Sequence, residues 1–354
     1  MSDLQWMERC IALARQAEGR TSPNPMVGAV IVRDGQVVGE GWHARAGQPH
    51  AEVGALLQAG QLARGATLYV NLEPCSHHGR TPPCTEAILR AGLARVVVGM
   101  SDPNPKVDGR GIARLRQAGL EVERSVGEQA CRELNQAFVT AMERGRPLVV
   151  LKAAATLDGR IATVTGESQW ITSAAAREHV HGLRDRHDAI LVGSGTALAD
   201  DPQLSCRLEG GRDPVPVLLD ARLRVSSTAR MFASGAGALV YSTRQPPVDH
   251  PATVIQVPAG AQGGVDLEAV LSHLARRGVH SLLVEGGGAV HRSFLDAGLV
   301  DRVLLYLAPK IFAGGPGWVA GPGIERLADG FDMDLVQVTM LAPDLLLELV
   351  RRDS

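Results

Sequence analysis

At 354 residues and 45% hydrophobic side chains, the chain is long enough for two cores, and with aromatics at only 3% the packing falls to Ala, Val, Leu and Gly, as suits α/β layers. The formal net charge is −2 and no run of Lys or Arg occurs, which argues against a polyanion such as nucleic acid as partner. No apolar stretch approaches the roughly 18 residues of a membrane span, residues 1–5 lack the features of a signal peptide, and five scattered cysteines do not make a disulfide framework. A soluble cytoplasmic protein is expected, without a membrane partner.

Leu4, Met7, Ile11 and Ala14 recur at helical spacing and predict an opening amphipathic helix. The stretch Thr21-Ser22-Pro23-Asn24-Pro25 then breaks the chain. Strands over 26–32 and 36–42 flank Arg33-Asp34-Gly35, a hairpin turn. A helix over 51–58, a strand over 67–72, a helix over 85–91 and a strand over 95–99 follow, then a helix over 112–118 and an extended segment over 120–123. This alternation predicts a three-layer α/β/α domain.

The pattern resets at Arg144-Gly145-Arg146-Pro147, which places the domain boundary at residue 145 and gives domains 1–145 and 146–354. The second half alternates again. Strands are predicted over 148–155, 189–192, 215–220, 238–242, 281–285, 302–308 and 345–350, with helices over 174–183 and 267–277, in a mostly parallel sheet. Gly286-Gly287-Gly288 directly follows a strand and opens a helix, where backbone N–H groups can cradle a pyrophosphate. It is not the G-x-G-x-x-G fingerprint, and a tight packing turn explains it equally well. Val192-Gly193-Ser194-Gly195-Thr196 repeats the arrangement, and two such loops at strand ends favour a ligand crevice.

The sharpest chemical signal lies in the first half. His50, Cys75 and Cys84 supply three zinc ligands and leave a fourth position open, as catalytic rather than structural zinc requires. Glu52, two residues from His50, is the candidate acid/base that takes the proton of an activated water and delivers it to the leaving amine. The deaminase signature is H-x-E with a downstream P-C-x-x-C. Here eight residues, rich in His and Arg, separate Cys75 from Cys84. Arg80 within them is a candidate phosphate contact. Pro49 and Pro83 each precede a predicted helix start, which lets His50 converge with Glu52 and favours a thiolate at Cys84. The alternatives are a closed structural zinc site completed by His77 or His78 in a non-enzymatic protein, and a deaminase acting on another base, including a nucleic-acid base. Cys10, Cys131 and Cys206 belong to no motif and read as buried filler.

Residues 21–30, 41–43, 47–52, 72–84, Asp102-Pro103-Asn104-Pro105-Lys106-Val107 and Gly109-Arg110-Gly111 together resemble the bacterial bifunctional riboflavin-biosynthesis deaminase/reductase family. The long inter-cysteine insert resembles that family in particular. In the second half so do Leu151-Lys152-Ala153-Ala154, Leu157-Asp158-Gly159-Arg160, residues 166–172, residues 189–202 and Val284-Glu285-Gly286-Gly287-Gly288.

The resemblance implies a cytidine-deaminase-like α/β/α domain followed by a dihydrofolate-reductase-like α/β domain. It implies Zn2+ and NADPH as cofactors, and a phosphorylated pyrimidine as substrate: 2,5-diamino-6-ribosylamino-4(3H)-pyrimidinone 5′-phosphate, deaminated and then reduced at the ribose to the ribitylamino product. By position, Asn24 and His43 would contact the pyrimidine and Arg80 the phosphate. NADPH would meet Ala154, Trp170, Thr196, Asp200 and the stretch Gly287, Gly288, Ala289, Val290, His291, Arg292 and Ser293. The reductase substrate would meet Ser168, Arg184, Leu204, Arg207 and Glu285, with Lys152 or Asp200 polarising the sugar. Arg184 and Arg207 suit phosphate clamping, a solvated surface charge being the alternative. Gly54, Gln169 and Ala221 depart from the family pattern. A homo-oligomer is expected from the family.

Overall fold

The computed structural model describes residues 1–76, 82–105, 107–233, 236–247, 249–261 and 263–352. The chain forms two compact units, Met1–Arg146 and Pro147–Ser354.

The first unit runs α1 (Asp3–Arg15), β1 (Gly28–Arg33), β2 (Gln36–Trp42), α2 (Ala51–Ala59), β3 (Thr67–Leu72), α3 (Cys84–Ala91), β4 (Arg95–Met100), α4 (Arg110–Gln117), β5 (Glu121–Glu123), α5 (Glu128–Leu134) and α6 (Gln136–Arg144). The α1 helix starts at a capping box in which Ser2 and Gln5 satisfy each other's backbone N–H. The sheet order is β2-β1-β3-β4-β5, with β1 antiparallel to both neighbours and β3, β4 and β5 parallel. Alternate residues of one strand feed opposite faces. Ala29 and Ile31, Leu68 and Val70, Val96 and Val98 pack against Ala55 of α2, Ile88 of α3 and Leu115 of α4. Val30, Val32, Tyr69 and Val97 face the other way, onto Trp6, Met7 and Ile11 of α1, Cys131 of α5 and Val139 of α6. Both faces are covered, so the strands read as unbroken apolar runs, and the three-layer expectation is borne out.

Two glycines set the seating of α2. A Cβ at Gly39 would lie 2.2 Å from the Ala55 carbonyl oxygen, and one at Gly41 would lie 2.3 Å from that of Ala51. The helix therefore rests directly on the backbone of β2.

The second unit runs β6 (Leu148–Thr156), α7 (Ala174–Arg186), β7 (Ala189–Gly193), α8 (Ser194–Asp200), β8 (Val215–Leu219), β9 (Leu239–Ser242), β10 (Thr253–Gln256), α9 (Leu267–Arg276), β11 (Ser281–Val284), α10 (Gly288–Asp296), β12 (Arg302–Ala308), β13 (Met333–Leu341) and β14 (Asp344–Arg351). The sheet order is β10-β9-β8-β7-β11-β6-β12-β14-β13. The strands from β10 through β12 are parallel, and β14 and β13 add an antiparallel ribbon at one edge. After β7 the chain moves to β8 on one side; after β11 it moves to β12 on the other. Connections that leave adjacent strands in opposite directions open a crevice at their carboxyl ends, and both glycine loops lie at that point.

Candidate active sites

The Nδ1 of His50 and the Sγ atoms of Cys75 and Cys84 all lie within 4.8 Å of one another. His50 Nδ1 is 3.1 Å from Cys84 Sγ and 3.7 Å from Cys75 Sγ. Tetrahedral zinc with ordinary bond lengths puts such pairs roughly 3.6 Å apart, so this donor set fits the ion. His50 is the N-cap of α2, with Glu52 inside the first turn; Cys84 opens α3 behind Pro83. The backbone N–H of Cys84 donates to Cys75 Sγ at 3.3 Å. The Cys84 thiol hydrogen bond, helped by His50 and that N–H, outweighs burial and brings the Cys75 thiol down to about 4. The hydrogen bond with Cys75, together with burial, pushes the Cys84 thiol up.

Glu52 is 3% exposed and is no part of the three-ligand set. Burial raises its carboxyl, reinforced by the charge of Cys75. A buried carboxylate whose proton affinity is raised beside a metal-binding triangle has the properties of a proton shuttle. Asn24 and His43 form a pair beside His50. His43 Nδ1 donates to the Pro49 carbonyl at 3.1 Å, which leaves Nε2 to accept from Asn24 Nδ2 at 3.0 Å. Burial lowers the His43 pKa, and the ring sits edge-on to His50 at 5.5 Å. Arg80 lies outside the described residues, as do His77 and His78.

Glu73, one residue before Pro74-Cys75, was not singled out from sequence. It is 3% exposed, and its two oxygens accept from the N–H groups of Asp102, Gly109, Gly111 and Ile112 at 2.8 to 3.3 Å. The carboxylate thereby caps α4 from another element. A Cβ at Gly111 would lie 2.1 Å from the Pro74 carbonyl oxygen, and Gly109 has φ +74°. The Gly109-Arg110-Gly111 motif is thus the imprint of this clamp on the segment that carries Cys75.

In the second unit, Lys152 of β6, Arg184 of α7 and Glu285 at the end of β11 converge. Arg184 grips both carboxylate oxygens of Glu285, at 2.8 and 2.9 Å, and donates to the Ser205 carbonyl at 3.0 Å. Lys152 Nζ is 3.7 Å from Glu285 and 5.8 Å from the Tyr306 ring centre. Burial alone would raise Glu285, but the Arg184 and Lys152 charges outweigh it and hold the carboxyl at about 2. Burial lowers Lys152, against the pull of Glu285. The Arg184 fork is therefore engaged with Glu285, whereas Arg207 is exposed. Leu204 is buried in the left-handed region at φ +59°.

Asp200 hydrogen-bonds Ser168, and burial raises its carboxyl. Trp170 is exposed, with the Arg177 guanidinium 4.5 Å over its ring and its carbonyl accepting from Lys310. Ala154 is half-buried on β6. Thr196 Oγ1 would lie 3.3 Å from a Cβ at Gly287, which brings the two glycine loops together. Ala289, Val290 and Ser293 line a cavity of about 880 Å³. Two neighbours on α10 point elsewhere. His291 is buried and bonds the Trp318 carbonyl; Arg292 pairs with Asp296 and stacks on Phe331. Asp158, within the Leu157-Asp158-Gly159-Arg160 motif, accepts from Thr156 Oγ1 and the N–H groups of Phe312 and Ala313, and so fastens that loop.

Two family models match the chain. The cytidine and deoxycytidylate deaminase zinc-binding region matches residues 1–100 and the RibD C-terminal domain matches residues 147–347. The chain is 44% identical to the riboflavin biosynthesis protein RibD of Bacillus amyloliquefaciens, over 99% of this chain and 96% of that one. It is 42% identical to RibD of Escherichia coli, over 99% and 100%. Among solved structures, a diaminohydroxyphosphoribosylaminopyrimidine deaminase/5-amino-6-(5-phosphoribosylamino)uracil reductase of Thermotoga maritima superposes with TM-score 0.91 at 38% identity, over 99% of each chain. RibD of Acinetobacter baumannii does so with TM-score 0.91 at 39%, also over 99% of each.

Proposed function

The chain belongs to the RibD family of bifunctional riboflavin-biosynthesis deaminase/reductases, and from that premise we propose how its residues divide the work. It is a zinc-dependent hydrolase and an NADPH-dependent oxidoreductase in one chain. The proposed substrate is 2,5-diamino-6-ribosylamino-4(3H)-pyrimidinone 5′-phosphate, deaminated to 5-amino-6-(5-phosphoribosylamino)uracil and then reduced to the ribitylamino product. The observation that carries the first step is a three-donor triangle with a buried carboxylate beside it that is not a ligand.

His50, Cys75 and Cys84 would hold the zinc, which when bound would supply a nucleophilic water at neutral pH. Glu52 accepts a proton at its carboxylate and returns it to the ring nitrogen and the departing amine. The Asn24–His43 pair orients the pyrimidine, and Arg80 takes the phosphate. In the second step a bound NADPH would supply the hydride. Lys152, held against Glu285, polarises the sugar oxygen, while Ser168 contacts the substrate and Asp200 the cofactor. Arg184 acts mainly through Glu285, which leaves the exposed Arg207 as the better phosphate contact.

The test is a coupled assay with metal analysis on the same sample. Ammonia release from the diamino substrate and NADPH consumption on the deaminated intermediate are both expected, with one zinc per chain. Protein that holds zinc yet releases no ammonia would sink the first assignment. Loss of neither NADPH nor NADH would sink the second.

A homo-oligomer is part of this reading. Edge strand β13 exposes Leu335, Val336, Val338 and Met340, each more than half accessible, and an uncovered apolar edge strand is a pairing surface. So is a reducing, cytoplasmic setting, since all five cysteines are free. No described helix is long and apolar enough to cross a membrane.

A further inference from the structure

We propose that Asn71 and Asn135 are positioning residues of the deaminase: together they pin the backbone at Met26 and so fix where Asn24, two residues upstream, meets the pyrimidine. The inference rests on the reading of Asn24 given above and adds to it the residues that hold Asn24 in place.

Neither asparagine is explained by its own element. Asn71 lies near the end of β3, inside an apolar run, and is fully buried. Strands disfavour Asn, and a buried amide is costly unless it is hydrogen-bonded. Asn135 stands between α5 and α6, ending the one and preceding the other, and is 2% exposed. An asparagine at such a point ordinarily caps the second helix through its side chain. Asn135 makes no cap bond.

Both side chains go instead to one stretch of backbone. Asn135 Oδ1 accepts from the Met26 N–H at 2.8 Å, and its Nδ2 donates to the Met26 carbonyl at 3.0 Å. Asn71 Nδ2 donates to the same carbonyl at 3.0 Å, and its Oδ1 accepts from the Gly28 N–H at 2.8 Å. The ladder between β1 and β3 ends at Ala29 and Val70. Beyond it, two side-chain amides do what a neighbouring strand would do. On the other edge the Val27 carbonyl accepts from the His43 N–H at 2.9 Å. A Cβ at Gly28 would lie 2.1 Å from the Cys10 carbonyl oxygen, so α1 closes over the segment.

Asn24 hangs from this pinned stretch by Pro25 alone. The proline ring fixes its own φ and restricts the residue before it. The Asn24 N–H donates to the Thr21 carbonyl at 2.8 Å, so the turn upstream and Met26 downstream leave the backbone little freedom. The Asn24 side chain then reaches His43 Nε2 at 3.0 Å. His43 has a separate tether through Nδ1 to the Pro49 carbonyl. Asn24 is therefore the member of the pair that depends on the two asparagines. Neither asparagine belongs to the metal triangle, and each acts through Met26. A displacement of about 1 Å at an orienting residue can cost up to about a hundredfold in rate.

The experiment is a double-mutant cycle on the full chain. The kcat/KM for ammonia release from the diamino substrate is measured for the wild type, N135A, N24A and N24A/N135A. Zinc content and NADPH consumption on the deaminated intermediate are read from the same preparations. N135A is expected to lose about tenfold in kcat/KM while keeping its zinc, with the reductase rate within about twofold of wild type. With Asn24 gone there is nothing left to aim, so in the N24A background the same substitution should cost less than about twofold. N71S should show the same pattern with a smaller loss, and it replaces N135A in the cycle if that variant does not hold zinc. Wild-type kcat/KM in N135A, or equal losses in both backgrounds, overturns the inference and leaves the reading of Asn24 intact. Loss of zinc from both N135A and N71S also overturns it, because the asparagines would then hold the whole unit together. Wild-type kcat/KM in N24A overturns the reading of Asn24 and the inference with it.

Discussion

Glu52 and Glu73 show how position separates two buried carboxylates. Glu73 accepts four backbone N–H groups and is spent on structure; Glu52 faces the metal triangle with its proton affinity raised. Replacing Glu52 by Gln should leave the zinc content unchanged and cut ammonia release by about a hundredfold or more, read by metal analysis and an ammonia assay on one preparation. Replacing Glu73 by Ala strips the start of α4 of its acceptors and should cost about 3 kcal/mol, read by urea denaturation. Glu285 has a pH signature. Its carboxyl is held at about 2 by Arg184 and Lys152, so its contribution to stability is complete above the ordinary carboxylate range and fades as the pH falls toward 2. E285Q should flatten that acid limb and also leave two buried cations poorly paired, costing about 3 kcal/mol at neutral pH. An acid limb identical to that of the wild type would contradict the pairing.

At the scale of elements, the metal site depends on how closely α2 lies on β2. A Cβ on Gly41 would meet the Ala51 carbonyl oxygen at 2.3 Å, at the first residue of the helix that begins beside His50 and carries Glu52. Gly41→Ala should lift that helix, cost about 2 kcal/mol and weaken zinc retention against a chelator. Wild-type zinc retention in this variant would show that the helix start is not held by the contact. The glycine loops of the second unit act in the same manner. They end neighbouring parallel strands, and their closeness to Val290 and Thr196 comes from packing. The helix α10 then divides its residues: Ala289, Val290 and Ser293 face the cavity while His291 is turned into the unit.

Across the whole molecule, two units with separate cores carry separate constellations. C84S should therefore abolish ammonia release while NADPH consumption on supplied intermediate persists within about twofold of wild type, a comparison that one stopped assay can make. The candidate ligand triplet with its neighbouring carboxylate and the alternation of strands and helices were legible in the sequence, because each is local: a candidate triplet keeps its spacing, and periodicity follows from which faces are buried. The helices α5 and α6 and strand β13 were not foreseen. The β13 strand carries four exposed apolar residues in place of a clean alternation. Sequence also treated Arg184 as a free phosphate clamp and Glu73 as part of a motif. Tertiary structure alone decided that Arg184 is bound to Glu285 and that Glu73 holds α4, since the partners lie 101 and 36 to 39 residues away in the chain. The chemistry of the zinc site was written in residue types and spacing. Which charges remain available for substrate and cofactor was settled by burial, because in a low-dielectric interior a charge is claimed by its nearest partner.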